Sequence, residues 1–258
     1  MKADQIAVQL YTLRDHLKNV PEFAETCRKV AAIGYRAVEV AGVDHAVVPP
    51  AEIRRICADL GLAICATHQA GDAILNETAA VIDTAGAMGA DLVVYPWPGD
   101  LDFTSEAAVA DLIAKLDAAG AAMAAAGMRL AYHNHQHEFR KLGGRLILER
   151  IYQEIPPARL SAEIDTYWVQ YGGGDPVAWC RRLAGRLPVI HLKDYRVNDD
   201  NSVGFCEVGH GNLDMPAIID EAGRAGCRWF CVEQDTCPGD PFDSIRLSFE
   251  YLAGRCVK

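Results

Sequence analysis

The stretch AAIGYRAVEV, residues 31–40, ends a helical pattern, turns at a glycine and continues as a short apolar strand. The same unit returns as ADLGLAICAT at 58–67, GAMGADLVVY at 86–95, AAAGMRLAYH at 124–133 and RAGCRWFCVE at 224–233. A helix often ends at a left-handed glycine, and the five units supply Gly34, Gly61, Gly89, Gly127 and Gly226. A helix–glycine–strand unit that recurs along one chain predicts an array of βα units.

Three further apolar runs bring the number of predicted strands to eight: IAVQLY at 6–11, RLSAEID at 159–165 and LPVIHL at 187–192. Between the strands, helical patterns are predicted over Val20–Ile33, Pro50–Leu60, Asn76–Met88, Ser105–Ala126, Arg145–Glu154, Asp175–Leu183, Met215–Ala225 and Asp243–Ala253. No linker or change of composition interrupts this alternation. It therefore predicts an α/β protein with a single (β/α)8 TIM barrel that occupies residues 1–258 as one domain.

Length and composition agree with that fold and restrict the partners. The chain has 258 residues, half of them hydrophobic, and a formal net charge of −10, which disfavours nucleic acid. The nine cysteines include no Cys-x-x-Cys pair, which is typical of buried thiols in a reducing compartment. No secretory leader pattern precedes Ile6 and no apolar run reaches membrane length, so we expect a cytoplasmic protein without a membrane partner. A homo-oligomer is left open.

Acidic or imidazole side chains stand at the ends of the last four predicted strands, namely Glu138, Asp165, His191 and Glu233. The carboxyl ends of barrel strands converge on one rim, and a strand needs no charged residue there for packing. Three carboxylates and a histidine brought together repel one another unless a cation lies between them. Divalent metal ions accept this mixture of oxygen and nitrogen ligands, so the pattern predicts a metal-dependent enzyme.

Three of the four residues also have a purely structural interpretation, and such an interpretation is weaker for Glu233 because no helix follows it at once. A lone histidine in an apolar run, such as His191, is commonly a hydrogen-bonded core residue. Asp165 suits the N-cap of a following turn, and Glu138 could pair with Arg140. Their occurrence at consecutive strand ends favours the metal site over four separate structural roles.

The long polar stretch from Asp194 to Asn212 follows the seventh strand. Because it leaves the rim that carries the predicted site, it would lie over that site. It could be a substrate lid or a plain solvated loop.

Five motifs resemble the sugar phosphate isomerase and epimerase superfamily with the xylose isomerase-like TIM barrel: YHNHQHEF, EIDTYW, VIHLKDY, VGHGNLD and FCVEQD. That superfamily also contains inosose dehydratases, hydroxypyruvate isomerases, ketose 3-epimerases and apurinic endonucleases. The resemblance implies one divalent ion, manganese, cobalt, magnesium or zinc, held by residues of the last four strands. Three of its ligands carry over directly to Asp165, His191 and Glu233.

The resemblance leaves the fourth ligand open. Many relatives carry a glutamate at the position of His133, whereas this chain has its carboxylate at Glu138. Either Glu138 reaches the metal, or His133 takes the ligand position and Glu138 contacts substrate. We expect Glu138 to be the ligand, because a hard dication prefers a carboxylate. A second departure is Trp168, which replaces the histidine of ketose epimerases and endonucleases and argues against a trinuclear DNA-repair site.

The resemblance also implies roles for other rim residues. Acid–base or oxyanion-binding groups would be Glu138, Glu233, His135 and Lys193. Substrate contacts would be made by Glu39, His68, His133, Trp168 and His210. Trp97 could stack on a sugar face, although aromatic residues near a barrel mouth also serve as core, and Lys193 could simply pair with Asp194.

The chemistry expected of such a site is proton transfer beside a carbonyl. A divalent ion that binds a carbonyl and an adjacent hydroxyl acidifies the neighbouring C–H bond, and carboxylates can move the proton through an enediolate. The sequence therefore predicts a metal-dependent isomerase or epimerase of a keto-sugar or related polyol. The alternatives are a lyase or dehydratase of a keto-sugar or keto-inositol, and a sugar-binding barrel without catalysis.

Overall fold

A closed barrel of eight parallel strands forms the centre of the computed structural model, which describes residues 1–258. The strands are β1 (Ile6–Gln9), β2 (Ala37–Val40), β3 (Ala63–His68), β4 (Leu92–Tyr95), β5 (Arg129–His133), β6 (Ser161–Asp165), β7 (Val189–Leu192) and β8 (Trp229–Val232). Each strand pairs with the next along the chain, and β8 pairs with β1. This is the predicted (β/α)8 TIM barrel.

The helices surround the barrel in chain order. They are α1 (Val20–Ile33), α2 (Pro50–Asp59), α3 (Gly71–Asn76), α4 (Thr78–Met88), α5 (Glu106–Ala125), α6 (Ile147–Glu154), α7 (Thr166–Tyr171), α8 (Pro176–Arg182), α9 (Met215–Arg224) and α10 (Pro241–Arg255). The short helices α3 and α7 are additional to the predicted set. Helix α7 starts directly after β6, where one oxygen of Asp165 accepts the N–H of Trp168 at 3.0 Å. None of the helices has the length and apolar composition that a membrane crossing requires.

The predicted glycines end helices as expected. All five have positive φ angles, from +67° at Gly61 to +126° at Gly34. At Gly34 a side chain is disfavoured for two reasons. The positive φ angle favours glycine, and a Cβ atom would lie 2.6 Å from Cε1 of Phe249. The glycine thus lets α10 pack closely against the end of α1.

Successive side chains along each strand point alternately to the barrel interior and to the helix layer. The interior is filled by small apolar residues, namely Ala7, Ala37, Cys65, Ala66, Leu92, Val94, Ala131, Val189 and Cys231. Side chains two positions further along the same strands point to the same interior, so Ala131, Val189 and Cys231 are followed there by His133, His191 and Glu233. The apolar plug therefore forms the floor beneath a polar layer at the carboxyl ends of the strands.

The stretch after β7 is a hairpin of two antiparallel strands, Asp194–Val197 and Val203–Cys206. The buried carboxylate of Asp194 accepts the N–H groups of Gly209 at 2.9 Å, Gly211 at 3.1 Å and Leu213 at 3.2 Å. These bonds anchor the base of the hairpin to the turn that follows it.

Candidate active site

Four side chains meet at the carboxyl end of the barrel and form what we call the outer cluster: His133, Asp165, His191 and Glu233. One potential ligand atom of each lies within 4.8 Å of the ligand atoms of the others, and all four residues are buried. They belong to or directly follow β5, β6, β7 and β8. Their proximity follows from strand order, because these strands are neighbours in the barrel.

The outer cluster offers a donor set that fits a divalent ion. His133 is only 3% exposed, yet neither nitrogen of its ring has a hydrogen-bond partner. Its Nε2 atom lies 3.4 Å from Oδ2 of Asp165. A buried polar group without a partner costs free energy, and a cation between the imidazole and the carboxylate would remove that cost. Two imidazoles and two carboxylates are suitable ligands for zinc, manganese or cobalt.

Lys193 provides a positive charge at the edge of the outer cluster. Its ammonium lies 3.0 Å from Oδ2 of Asp165, 2.8 Å from Oε2 of Glu233 and 3.1 Å from Oδ1 of Asp235. Burial acts to lower the pKa of Lys193, but these carboxylates outweigh it and raise the pKa above its ordinary value. Lys193 is therefore a permanent cation that shares two carboxylates with any metal bound in the outer cluster.

A second group of ionisable residues, the inner cluster, comprises Glu39, His68, Glu163 and His191. Nε2 of His191 lies 2.6 Å from Oε2 of Glu39, and Nε2 of His68 lies 2.7 Å from Oε2 of Glu163. On its other side, Nδ1 of His191 lies 2.9 Å from Oε2 of Glu233. The ring of His191 therefore belongs to both clusters and has a carboxylate at each nitrogen.

The inner carboxylates hold His68 as a cation. Burial alone lowers the pKa of this histidine, but Glu39 and Glu163 raise it to about 10. The inner cluster thus balances part of its own charge. His68 is also the member of this cluster that reaches the cavity above.

The structure does not place the predicted ligand Glu138 with the other three. Strand β5 directs His133 to the barrel interior and Tyr132 to the helix layer, and the short 3-10 helix His137–Phe139 brings Glu138 to the Tyr132 side. There its two oxygens accept the hydroxyl of Tyr132 at 2.8 Å and the N–H of His135 at 2.9 Å. Burial raises the pKa of Glu138 to about 7. His133 occupies the place expected for Glu138.

A cavity of about 980 Å³ opens above the outer cluster. Six residues of the predicted site line it: His68, His133, His135, Trp168, Lys193 and Glu233. Two predicted substrate contacts do not line it. Glu39 lies fully buried beneath it, and His210 is exposed on the turn that Asp194 fixes.

Several residues of the site were missed by sequence reasoning. Glu163 stands two positions before Asp165 and therefore on the same interior face, a spacing visible in the sequence. Asp235 stands two positions after Glu233, but it follows the end of β8, where strand alternation no longer predicts which way a side chain points. Tyr11 and Arg14 line the cavity from the segment after β1, and nothing in their sequence context indicates this.

One family of known proteins matches most of the chain. Residues 27–254 match the model of the xylose isomerase-like TIM barrel. The chain belongs to this family. Membership agrees with the closed barrel of parallel strands.

The curated relatives share little more than a quarter of their residues with this chain over the matched segments. The rhizopine catabolism protein MocC of Rhizobium meliloti is 28% identical over 148 residues, 51% of this chain and 45% of that protein. An inosose dehydratase of Geobacillus thermodenitrificans is 26% identical over 162 residues, 56% of this chain and 54% of that protein. The chain thus matches about half the length of these relatives.

The fold itself is closely matched by solved structures. A sugar phosphate isomerase/epimerase from Parabacteroides distasonis superposes with a TM-score of 0.85 and 21% identity, covering 100% of this chain and 96% of that one. At this identity the likeness extends to the fold, and the chemistry has to be argued from the site.

Proposed function

We propose that this protein is a metal-dependent enzyme that transfers a proton beside the carbonyl of a keto-sugar or related polyol, as an isomerase or epimerase. The observation that carries the proposal is the outer cluster with its unpartnered His133 at the floor of a large cavity. Membership in the xylose isomerase-like family supports it.

The residues proposed to hold the ion are His133, Asp165, His191 and Glu233. His133 replaces Glu138 in this set because both oxygens of Glu138 are engaged by Tyr132 and His135. Asp165 can serve two purposes, since Oδ1 caps helix α7 while Oδ2 faces His133. A divalent ion bound there supplies a Lewis acid that polarises the substrate carbonyl.

Proton transfer would fall to groups that line the cavity. Burial acts to raise the pKa of Glu233, but Lys193 and His191 outweigh it and lower the pKa well below the ordinary value, so this carboxylate is ionised and able to accept a proton. Burial lowers the pKa of His135, which keeps its imidazole neutral. Glu233 can therefore remove a proton from one carbon and return it to the substrate, while the neutral ring of His135, which also lines the cavity, can donate a hydrogen bond.

Lys193 has the properties of an oxyanion partner. Its ammonium is buried at the cavity wall, carries a permanent charge and is held by three carboxylates. A fixed cation in a buried site stabilises negative charge that develops on a substrate oxygen. We assign this role to Lys193 in the enediolate step.

A second candidate function is dehydration of a keto-sugar or keto-inositol. It is favoured by the relatives, because inosose dehydratases match about half of this chain. The first step is the same, and the difference is whether a neighbouring hydroxyl leaves afterwards. A sugar-binding barrel without catalysis has less support, since ionisable side chains such as Glu233 and Lys193 line the cavity above the outer cluster.

Hydrogen exchange tests the step shared by both candidates. The Mn²⁺-loaded protein is incubated with keto-sugars and keto-inositols in deuterium oxide, and the products are examined by NMR and mass spectrometry. We expect deuterium at the carbon beside the carbonyl, and loss of this exchange in Glu233→Gln. The exposed Glu250→Gln is the matched control and should exchange normally.

The same experiment separates the candidates. An isomer or epimer retains the substrate mass apart from deuterium, whereas dehydration removes one water. Product formed at full rate by Glu233→Gln, with no isotope effect from substrate deuterated at that carbon, would overturn the proposed function.

A further inference from the structure

The cavity is larger than one sugar ring requires. Its volume of about 980 Å³ lies near the upper end of the roughly 300–1,000 Å³ typical of sites for drug-sized ligands. A single sugar ring is smaller than such a ligand. Space therefore remains beside a monosaccharide placed over the outer cluster.

The additional space is bounded by a wall opposite the outer cluster. The cluster is supplied by β5 to β8, whereas the other wall comes from the segments after β1 to β4 and includes Tyr11, Arg14, Asp44, His45, Gln69 and Trp97. In the strand order of the closed barrel, β2 lies across from β6. We call this second group the distal wall.

Two aromatic rings of the distal wall are exposed and held in place. Tyr11 is 41% and Trp97 46% exposed, and they are two of only five large hydrophobic side chains exposed to solvent. The guanidinium of Arg14 lies 4.5 Å from the centre of the Tyr11 ring and donates to the carbonyls of Tyr11 and Asp235. The ring of His135 packs against Trp97 at 4.7 Å. Rigid exposed rings offer apolar faces to the C–H face of a sugar.

Polar atoms near these rings also lack partners. Nδ1 of His135 and Oε1 of Gln136 are buried and make no hydrogen bond, and both residues line the cavity. Gln69 is oriented towards His45, with Nε2 atoms 3.3 Å apart, by its bond to Thr67 at 2.8 Å. Unsatisfied polar atoms beside aromatic rings match the hydroxyl groups of a sugar.

The charge of the cavity argues against a phosphorylated substrate. Its cationic side chains, apart from histidines, are Arg14, which donates to two carbonyls, and Lys193, which the proposed function assigns to the reacting ring. Three carboxylates, Asp44, Glu233 and Asp235, face the same space. Sites for phosphate groups normally present arginine or lysine side chains that are free to bind the oxygens.

We infer that the cavity binds an uncharged glycoside, in which a keto-sugar lies over the outer cluster and a second sugar ring lies against Tyr11 and Trp97. This inference rests on the proposed function for the identity of the reacting ring. It adds the substrate class, a neutral two-ring sugar rather than a monosaccharide or a sugar phosphate.

Titration calorimetry on the full Mn²⁺-loaded chain tests the inference with three probes: methyl 3-keto-glucopyranoside, 3-keto-cellobiose and 3-keto-glucose 6-phosphate. We expect the disaccharide to bind at least about tenfold more tightly than the methyl glycoside. The 6-phosphate probe should bind no more tightly than the methyl glycoside. Tyr11→Leu and Trp97→Leu should each remove most of the gain for the disaccharide while changing the affinity for the methyl glycoside less than about twofold. Tyr171→Leu, an exposed tyrosine outside the cavity lining, is the matched control and should retain the full gain.

Equal affinity for the methyl glycoside and the disaccharide would overturn the inference, and so would tighter binding of the phosphate. A uniform loss for all probes in Tyr11→Leu and Trp97→Leu would overturn the assignment of the distal wall. Because the affinity and the hydrogen exchange are separate measurements, the outcome is separable from the proposed function. If the disaccharide binds as expected but exchanges no hydrogen in deuterium oxide, the proposed reaction fails while the two-ring site stands.

Discussion

The inner and outer clusters contain the same residue types, two histidines and two carboxylates, and share His191, yet their surroundings differ. In the inner cluster, His68 and His191 each have a carboxylate oxygen within 2.7 Å. In the outer cluster, His133 has no hydrogen-bond partner, and the carboxylates are partly neutralised by Lys193. Oε1 of Glu39 and Oε1 of Glu163 make no hydrogen bond, so the contrast lies in the histidines. Paired histidines suit a supporting group, whereas an unpaired histidine suits binding of an ion.

This difference explains the arrangement of His191. A metal-ligating histidine is usually oriented by a carboxylate at its other nitrogen. Glu39 contacts Nε2 of His191, which leaves Nδ1 directed at Glu233 and the outer cluster. We therefore interpret the inner cluster as the support that fixes the ring of a ligand.

The largest expected effect comes from comparing substitutions in the outer cluster with a substitution in the inner cluster. Asp165→Asn and His191→Ala should abolish measurable Mn²⁺ binding, because each removes a ligand of the outer cluster. Glu163→Gln should still bind one ion per chain, weakened about tenfold, as is typical for a supporting residue. Calorimetry and metal analysis measure both quantities. Two ions per chain, or complete loss in Glu163→Gln, would contradict the division between the clusters.

Lys193 provides the next test, because it competes with the ion for Asp165 and Glu233. Without metal, Lys193→Met leaves buried carboxylates uncompensated and should lower the free energy of unfolding by about 3 kcal/mol. The same variant should bind Mn²⁺ about tenfold more tightly, since the ion no longer shares these oxygens with an ammonium. Lys115→Met, which removes an exposed pair with Asp111, is the control. Unchanged or weaker Mn²⁺ binding in Lys193→Met would show that the lysine and the ion do not share these oxygens.

The smallest expected effect concerns Glu138, which lies outside both clusters. Burial raises its pKa from 4.5 to about 7, so the folded state retains a proton that the unfolded state releases. The contribution of Glu138 to stability therefore falls as pH rises from 4.5 to 7, by about 2 kcal/mol between pH 5 and 8. Urea unfolding of metal-free Glu138→Gln should show a correspondingly flatter dependence on pH than the wild type. Equal slopes would mean that Glu138 is ionised throughout this range.

Local patterns in the sequence were sufficient for the barrel and for part of the site. Glycines that end helices and short apolar runs predict βα units, because backbone conformation at these positions depends on the residue itself. Alternation along β6 and β7 then places Asp165 and His191 on one interior face. Glu163 follows from the same rule and could have been predicted.

The tertiary structure alone decided the remaining features of the site. The choice between His133 and Glu138 depends on the 3-10 turn after β5, which directs Glu138 to Tyr132 in the helix layer. The contact of Glu39 with His191 joins residues 152 positions apart, and the distal wall is formed by segments that follow four different strands. Sequence patterns report which face of a strand a residue occupies, because that depends on neighbours along the chain. Which faces meet, and which polar atoms remain unpaired there, depends on closure of the barrel, which no local pattern describes.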